Sequence, residues 1–248
     1  MEWTFDLEAI GVIDVRLAAG RVDVVVAAEG RVRVEATDAD ADRLIVERTG
    51  SNVSVRQTSS FLSRSVAVTI TVPAGSDLRV GGGALDVAMA GELGEVTVKT
   101  ASGDIRLDHA RRARLSTASG DVHVGSVDGD ITISGASADL YVGSVGGDLE
   151  ITLASGDARA GCVSGNARVS TVSGDVWLDR VDGGLIEMKS ISGDLQVGLP
   201  AGSRVHADLT SMTGTIHTPE RDADAAPANR QVRVTGHTAS GDIRIDRA

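Results

Sequence analysis

The chain has 248 residues and a formal net charge of −11, with two Phe, two Trp and one Tyr in the whole sequence. So few aromatic side chains predict an aliphatic core. The acidic balance disfavours nucleic acids and anionic membranes as partners, because binding to either needs clustered Lys and Arg. The single cysteine, Cys162, excludes an internal disulfide framework and a CxxC zinc site.

Residues 1–75 contain short runs in which apolar and polar residues alternate, such as "VIDVRL", "RVRVEA" and "VAVTITVP". Such alternation is typical of strands with one buried face, so we predict that residues 1–75 form an N-terminal β cap of antiparallel-capable strands. The first residues include neither a basic segment nor an unbroken apolar one, and no apolar run is long enough to cross a bilayer. We therefore expect a cytoplasmic protein without a membrane span.

From residue 102 the sequence repeats in units of about nine residues, for example "SGDVHVGSV" at 119–127 and "DGDITISGA" at 128–136. In each unit an apolar, variable, apolar triplet predicts one strand, and the preceding Gly-Asp predicts the turn before it. Alternate units end differently, so two strands and about 18 residues make one coil. Such coils stack about 4.8 Å apart as a parallel β-solenoid, and the preference for right-handed crossovers favours a right-handed one.

The predicted fold class is therefore all-β, with the β cap followed by a β-solenoid over residues 76–248. Stacking is most regular across about residues 82–198, and the chain is treated as one structural unit. The interior is expected to be aliphatic and to contain Val122, Val124, Ile131, Ile133, Leu140, Val142, Leu149, Ile151, Val176 and Leu178.

After Pro200 the repeat loosens into irregular C-terminal coils. The polar segment "PERDADAAPANRQ", near 219–231, predicts a mobile loop, because it has no apolar periodicity. The segment "VRVTGHTASGDIRIDRA" then returns to one last strand, turn and strand.

Several of these segments resemble the bacterial DUF4097 family, whose members are described as candidate adhesins with β-strand repeats. The resemblance rests on "TASGDI", "TASGDVHV", "SISGDLQVGLPAG" and the opening "FDLEAIGVIDVRLAAGRVDVVVA", and it covers most of the chain. It implies a β-repeat fold and an adhesin-like role. It brings no catalytic residues to this chain, and it implies that many relatives are exported or tethered to a membrane.

The repeated aspartates have two interpretations. As turn residues they accept hydrogen bonds from corner amides and fix each bend, and this is the favoured interpretation. As a calcium ladder they would resemble the nonapeptide of calcium-binding β-rolls, but the second glycine of that motif is missing here. We therefore expect no metal site. The aspartates of the main column are Asp104, Asp121, Asp139, Asp157, Asp175 and Asp194.

One column of outward-facing residues combines aromatic and cationic side chains. It consists of the fifth position of alternate units and includes Arg106, His123, Tyr141, Arg159 and Trp177. Such a row stacks sugar rings or receives an acidic chain. The alternative is structural, with Arg159 sandwiched between the two rings to stabilise the sheet. We take this row as the candidate ligand-binding site.

The histidines are scattered, and neither an HExxH nor a GxSxG motif is present, so the sequence predicts a protein that is not an enzyme and needs no cofactor. The favoured function is a non-catalytic β-solenoid for recognition or scaffolding. A polysaccharide-binding or polysaccharide-active β-helix protein is the first alternative, and a structural protein that polymerises head to tail is the second. The predicted partner is a glycan or another protein, and the predicted state is a monomer or small homo-oligomer.

Overall fold

The structure is a computed structural model, and it describes residues 1–6, 11–28, 30–58, 65–219 and 230–248. The chain forms two compact units, Met1–Ser126 and Val127–Ala248. We call them the first unit and the second unit, and we describe each by itself. The predicted mobile loop near 219–231 lies mostly outside the described residues, and it stays a prediction.

The described residues of the first unit form strands and one four-residue helix. β7 and β8 are long, with 26 and 15 residues. The elements in chain order are β1 (Glu2–Asp6), β2 (Val12–Ala27), β3 (Arg31–Ala36), α1 (Asp38–Ala41), β4 (Leu44–Thr49), β5 (Asn52–Gln57), β6 (Val66–Pro73), β7 (Asp77–Ser102), β8 (Ile105–Ser119) and β9 (Val122–Val127).

Parallel coils make up most of the first unit. β2 runs parallel to β7 along its length, and β7 runs parallel to β8 with Val87 opposite Ile105. Further along the same pair, Val96 lies opposite Ala113, because the register shifts between Met89 and Glu92. The partners are eighteen residues apart before the shift and seventeen residues apart after it, so the repeat loses one residue next to Asp108.

The cap region combines both strand directions. β3 is antiparallel to β6, β1 is antiparallel to β3, and β4 is antiparallel to β5, as the alternating runs predicted. However, β5 and β6 both run parallel to β2. Parallel pairing thus begins well before residue 82, because residues 1–75 themselves contribute strands to the parallel coils. The division of the chain at residue 75 stays a prediction.

The strands of the second unit are shorter than β7, and those from β10 to β17 have four to seven residues. Its strands are β10 (Ile131–Ser137), β11 (Leu140–Val145), β12 (Leu149–Ser155), β13 (Ala158–Val163), β14 (Ala167–Ser170), β15 (Val176–Val181), β16 (Leu185–Lys189), β17 (Leu195–Leu199), β18 (Ser203–Thr213), β19 (Ile216–His217), β20 (Arg230–Ser240) and β21 (Ile243–Arg247).

Each coil of the second unit has two strands, and each strand pairs in parallel with its equivalent in the next coil. Even-numbered strands stack in the order β10, β12, β14 and β16. Odd-numbered strands stack in the order β11, β13, β15 and β17. The partners Leu140, Ala158 and Val176 are eighteen residues apart. The predicted all-β, parallel solenoid fold is confirmed, and its handedness stays a prediction.

The coils after Pro200 do not stack in chain order. β20 pairs with β16 on one side and with β18 on the other. β21 likewise lies between β17 and β19. The segment that the sequence places last is therefore inserted between two coils that precede it in the chain.

The interior is aliphatic, as predicted. Every residue of the predicted interior set, from Val122 to Leu178, is 3% exposed or less. The cause is the period of two in each strand, which turns the two apolar residues of every triplet to one face. The prediction of the core is confirmed.

Glycine is required at the corners between coils. Gly174 has a φ of +132°, and an added Cβ would lie 2.1 Å from the carbonyl oxygen of Gly156. Gly156 and Gly193 occupy the same corner of neighbouring coils, also with positive φ. The "SGD" motif therefore supplies a backbone conformation and a close approach that only glycine allows.

Candidate functional site

The candidate row is partly assembled within the second unit. Tyr141 lies in register with Arg159, and Arg159 lies in register with Trp177, on the successive strands β11, β13 and β15. Alternation along each strand turns these three side chains outward, away from the aliphatic interior. We call Tyr141, Arg159 and Trp177 the outer row. Tyr141 is 42% exposed and Trp177 is half-buried.

An ion pair fixes the cation of the outer row. The Arg159 guanidinium donates to Asp179 Oδ2 at 3.1 Å, and Asp179 lies two residues beyond Trp177 on β15. Both side chains of the pair are about half exposed, so the pair orients the guanidinium more than it stabilises the fold. The predicted sandwich of Arg159 between two rings stays a prediction, whereas its partner Asp179 was not predicted.

The column of the outer row continues beyond Trp177. Gln196 follows Trp177 in register, Arg244 follows Gln196, and His217 follows Arg244. Gln196 donates to Asp246 at 2.9 Å, and Arg244 pairs with the same carboxylate. The sequence pattern places Gln196 after Trp177, but it did not reveal Arg244 and His217, because the inserted coil breaks chain order. The segment "SGDIRID" at 240–246, which is similar to "SGDIRLD" at 102–108, was the signal that could have placed Arg244.

Two glycines lie beside the outer row. Gly143 and Gly161 follow Tyr141 and Arg159 by two positions, which places them on the same face of their strands. An added Cβ on Gly161 would lie 2.4 Å from the carbonyl oxygen of Gly143, so stacking itself excludes a side chain. Tyr141 and Arg159 are therefore bordered by bare backbone, whereas Asp179 occupies the equivalent position beside Trp177.

The other two predicted site residues lie in the first unit. Arg106 is exposed and pairs with Asp104 at 3.0 Å. His123 is exposed on β9. Their part in a common ligand site with the outer row stays a prediction.

The corner aspartates bind backbone amides of the neighbouring coil. Asp157 Oδ1 accepts the N–H of Asp175 at 2.9 Å, and Asp175 Oδ1 accepts the N–H of Asp194 at 2.8 Å. The inserted coil continues the ladder, since Asp194 accepts from Asp242 and Asp242 accepts from Thr215. The predicted role as acceptors of corner amides is confirmed. Among the described residues, no three His, Cys, Asp or Glu are grouped so that they could hold a metal ion.

The opposite face of the second unit, formed by the even-numbered strands, is charged. Arg168 on β14 pairs with Glu187 on β16 at 3.0 Å, and Lys189 pairs with the same carboxylate. Hydrogen bonds from Lys189 and Arg168 lower the pKa of Glu187. Cross-strand pairs of this kind stabilise a sheet and give no sign of a reactive group.

A cavity on the first unit was not predicted at all. Its volume is about 730 Å³, and three cationic side chains line it together with three consecutive glycines. We call it the basic cavity. The triplet "GGG" at 81–83, inside a strand, was the available signal, because glycine in a strand often marks a close approach. Its lining comprises Asp14, Arg16, Leu17, Ala18, Gln57, Thr58, Arg79, Val80, Gly81, Gly82, Gly83, Thr97 and Lys99.

The described part of the chain contains no helix that is long and apolar enough to span a membrane.

Several solved structures are similar to the chain over nearly its whole length. A candidate adhesin from Bacteroides fragilis is 11% identical with a TM-score of 0.47, over 99% of this chain and 96% of that chain. A candidate lipid-binding protein from Parabacteroides distasonis is 10% identical with a TM-score of 0.37, over 100% of this chain and 96% of that chain. A candidate adhesin from Parabacteroides merdae is 7% identical with a TM-score of 0.38, over 100% of this chain and 95% of that chain.

Comparison with proteins of curated function found no match. The model of the Toastrack DUF4097 family matches residues 12–248. That range contains the strands β2 to β21, from the first parallel coil to the inserted one. Since the match spans nearly the whole chain, the chain belongs to the Toastrack DUF4097 family.

Proposed function

We propose that the protein is a non-catalytic, adhesin-like recognition scaffold and that the outer row binds a glycan. The observation that carries the proposal is the register of Tyr141, Arg159 and Trp177 on three successive parallel strands. Successive strands lie about 4.8 Å apart, so the two rings are about 10 Å apart along the face. Aromatic rings at this spacing provide an apolar platform for the faces of neighbouring sugar rings.

A neutral glycan fits the outer row better than an acidic polymer does. The positive charge of Arg159 is already balanced by Asp179, and that of Arg244 further along the column is balanced by Asp246. Such pairs leave little net attraction for a polyanion, whereas their N–H groups and oxygens are suitable partners for sugar hydroxyls. The strip of bare backbone at Gly143 and Gly161 allows a flat ligand to approach the sheet closely.

The test is a glycan-array screen followed by calorimetry with the best neutral glycan. Trp177→Ala is expected to weaken binding about tenfold or more, since the ring supplies most of the apolar contact. Trp177→Phe keeps a ring and is expected to retain most of the affinity. Glu150→Ala, on the opposite charged face, is the matched control and is expected to bind like the native protein. Equal binding by all variants, or no binding by the native protein to any glycan, would refute the proposal.

Calcium is not expected to stabilise the protein. The Oδ1 atoms of Asp157, Asp175 and Asp194 already accept backbone N–H groups, so the ladder is satisfied without a cation. We expect EDTA to change the melting temperature by less than about 2 °C, which corresponds to less than about 1 kcal/mol for a chain of this size. A scan with and without added calcium checks this expectation, and a large loss in EDTA would show that the ladder binds metal.

Head-to-tail association is the second candidate function. At the coil formed by β18 and β19, Met212 is 80% exposed and Ile216 is 41% exposed. Apolar side chains at the end of a stack can add a further coil from a second copy. If this association operates, the mass measured by light scattering rises with protein concentration, and Met212→Lys suppresses the rise. A constant monomer mass contradicts it.

A further inference from the structure

We propose that the basic cavity binds a small organic anion, with its carboxylate, sulfate or phosphate group held by Arg16, Arg79 and Lys99. The proposal is independent of the glycan proposal, because the basic cavity belongs to the first unit and the outer row to the second.

The first argument for a ligand is the glycine at position 81. Packing does not require glycine there. An added Cβ on Gly82 would lie 2.1 Å from the Leu17 carbonyl oxygen, and one on Gly83 would lie 2.8 Å from that of Ala18. At Gly81 the nearest atom would be the carbonyl oxygen of Lys99, at 4.0 Å, and φ is not in the left-handed region. Glycine inside a strand weakens it, so its presence without a packing reason points to an occupant of the open space above it.

The charges around Gly81 are the second argument. Arg16 lies in register with Gly81 on the neighbouring strand β2, and Arg79 lies two positions before Gly81 on its own strand, hence on the same face. The side chain of Lys99 lines the same space from a later part of β7. Three cations thus converge on a site in a chain whose net charge is −11.

Most of this positive charge is not neutralised by the described residues. Arg16 pairs with Asp14 at 3.1 Å, and Asp14 is the acidic member of the described lining. For Arg79 and Lys99, the described part of the chain offers no ion-pair partner within 4.0 Å. A ligand anion would supply that partner, and guanidinium groups bind carboxylate, sulfate and phosphate with paired hydrogen bonds.

The size of the basic cavity indicates an organic anion. Its volume of about 730 Å³ lies in the range of small-molecule sites, and an inorganic ion would fill only a small part of it. The hydroxyls of Thr58 and Thr97 line the remainder with hydrogen-bonding groups. The bare backbone of Gly81 to Gly83 forms a floor against which a flat ring can lie. A sugar ring that carries one anionic group matches this lining.

The test is calorimetric titration with glucose 6-phosphate, glucuronate and glucose of the full chain carrying Trp177→Ala, a change that removes the contribution of the outer row. We expect at least one of the two anions to bind saturably with a dissociation constant of about 1 mM or lower, and the neutral sugar not to bind. The two anions separate a phosphate site from a carboxylate site. If neither anion binds, or if glucose binds equally well, the proposal is wrong.

Variants then locate the binding. Gly81→Val fills the open space and is expected to abolish binding while leaving the urea midpoint unchanged or higher, which a purely structural glycine would not do. Lys99→Gln is expected to weaken binding about tenfold. Arg112→Gln removes one exposed charge of the same unit outside the lining, and it is the matched control. Unchanged binding in Gly81→Val and Lys99→Gln would overturn the assignment.

Discussion

Replacing Gly174 by alanine is expected to lower the free energy of unfolding by about 3 kcal/mol or more. The added Cβ meets the carbonyl oxygen of Gly156 at 2.1 Å, and the φ of +132° is strained for any L side chain. That oxygen belongs to the backbone of the adjacent coil, so relief requires two coils to separate. Because folded domains are stable by only about 5 to 15 kcal/mol, one such change removes much of the total.

A shift of the urea midpoint, followed by circular dichroism, measures this effect. Gly184→Ala is the matched control, because its Cβ has the Gln231 carbonyl oxygen as its nearest neighbour at 3.6 Å, an ordinary contact. The control is expected to change stability by no more than about 1 kcal/mol, in either direction. If Gly174→Ala is as stable as the control, the corner does not have the close approach described above.

Replacing Ile151 by alanine is expected to destabilise the protein by about 2 to 5 kcal/mol. Ile151 is 1% exposed and lies in register with Ile133 and Val169 on the neighbouring coils. The strands around it are held by continuous parallel hydrogen bonds, so the surrounding backbone cannot collapse easily into the space that the side chain leaves. The cost is therefore expected in the upper part of that range.

The same urea titration tests this prediction. Ile151→Val removes a single methylene and is expected to cost about 0.5 to 1.5 kcal/mol. Glu150→Ala changes the exposed neighbour on the same strand, and we expect a change within about 0.5 kcal/mol. Equal effects at positions 150 and 151 would contradict the assignment of one buried and one outward face.

The nine-residue period made the coils and the core predictable from the sequence. One apolar, variable, apolar triplet per unit determines both a strand and the face that it buries, and each corner glycine and aspartate marks the turn between strands. Val176, Trp177 and Leu178 illustrate this, with a half-buried outward ring between two buried side chains. The register of Tyr141, Arg159 and Trp177 was predictable for the same reason, since the three residues occupy one fixed position of the repeat.

The pairing partners were less predictable than the strands. The run "VIDVRLAAGRVDVVVA" alternates as an antiparallel strand does, but β2 pairs in parallel with β5, β6 and β7. Alternation reports which face is buried and carries no information about the direction of the neighbour. Similar coils are also nearly interchangeable as partners, so chain order did not reveal that β20 inserts between β16 and β18.

The basic cavity was unpredictable for a different reason. Arg16 and Lys99 are far apart in the sequence, and they come together only because Gly81 has β2 on one side and the later part of β7 on the other. Charged residues on the surface do not follow the apolar period of the strands, so the sequence pattern did not indicate that Arg16 and Lys99 lie close together. The glycine triplet alone could have indicated an unusual position in the strand.

The insertion of β20 and β21 also bears on the order in which the chain folds during its synthesis. Residues 203–217 leave the ribosome before residues 230–247, but β18 and β19 dock on strands that the later segment supplies. The coils up to β17 can form as soon as they emerge, since each pairs with a coil that is already present. The segment from 203 to 217 stays unpaired until β20 and β21 have been synthesised. Its unpaired backbone is then open to misplaced pairing or to a chaperone until β20 is synthesised.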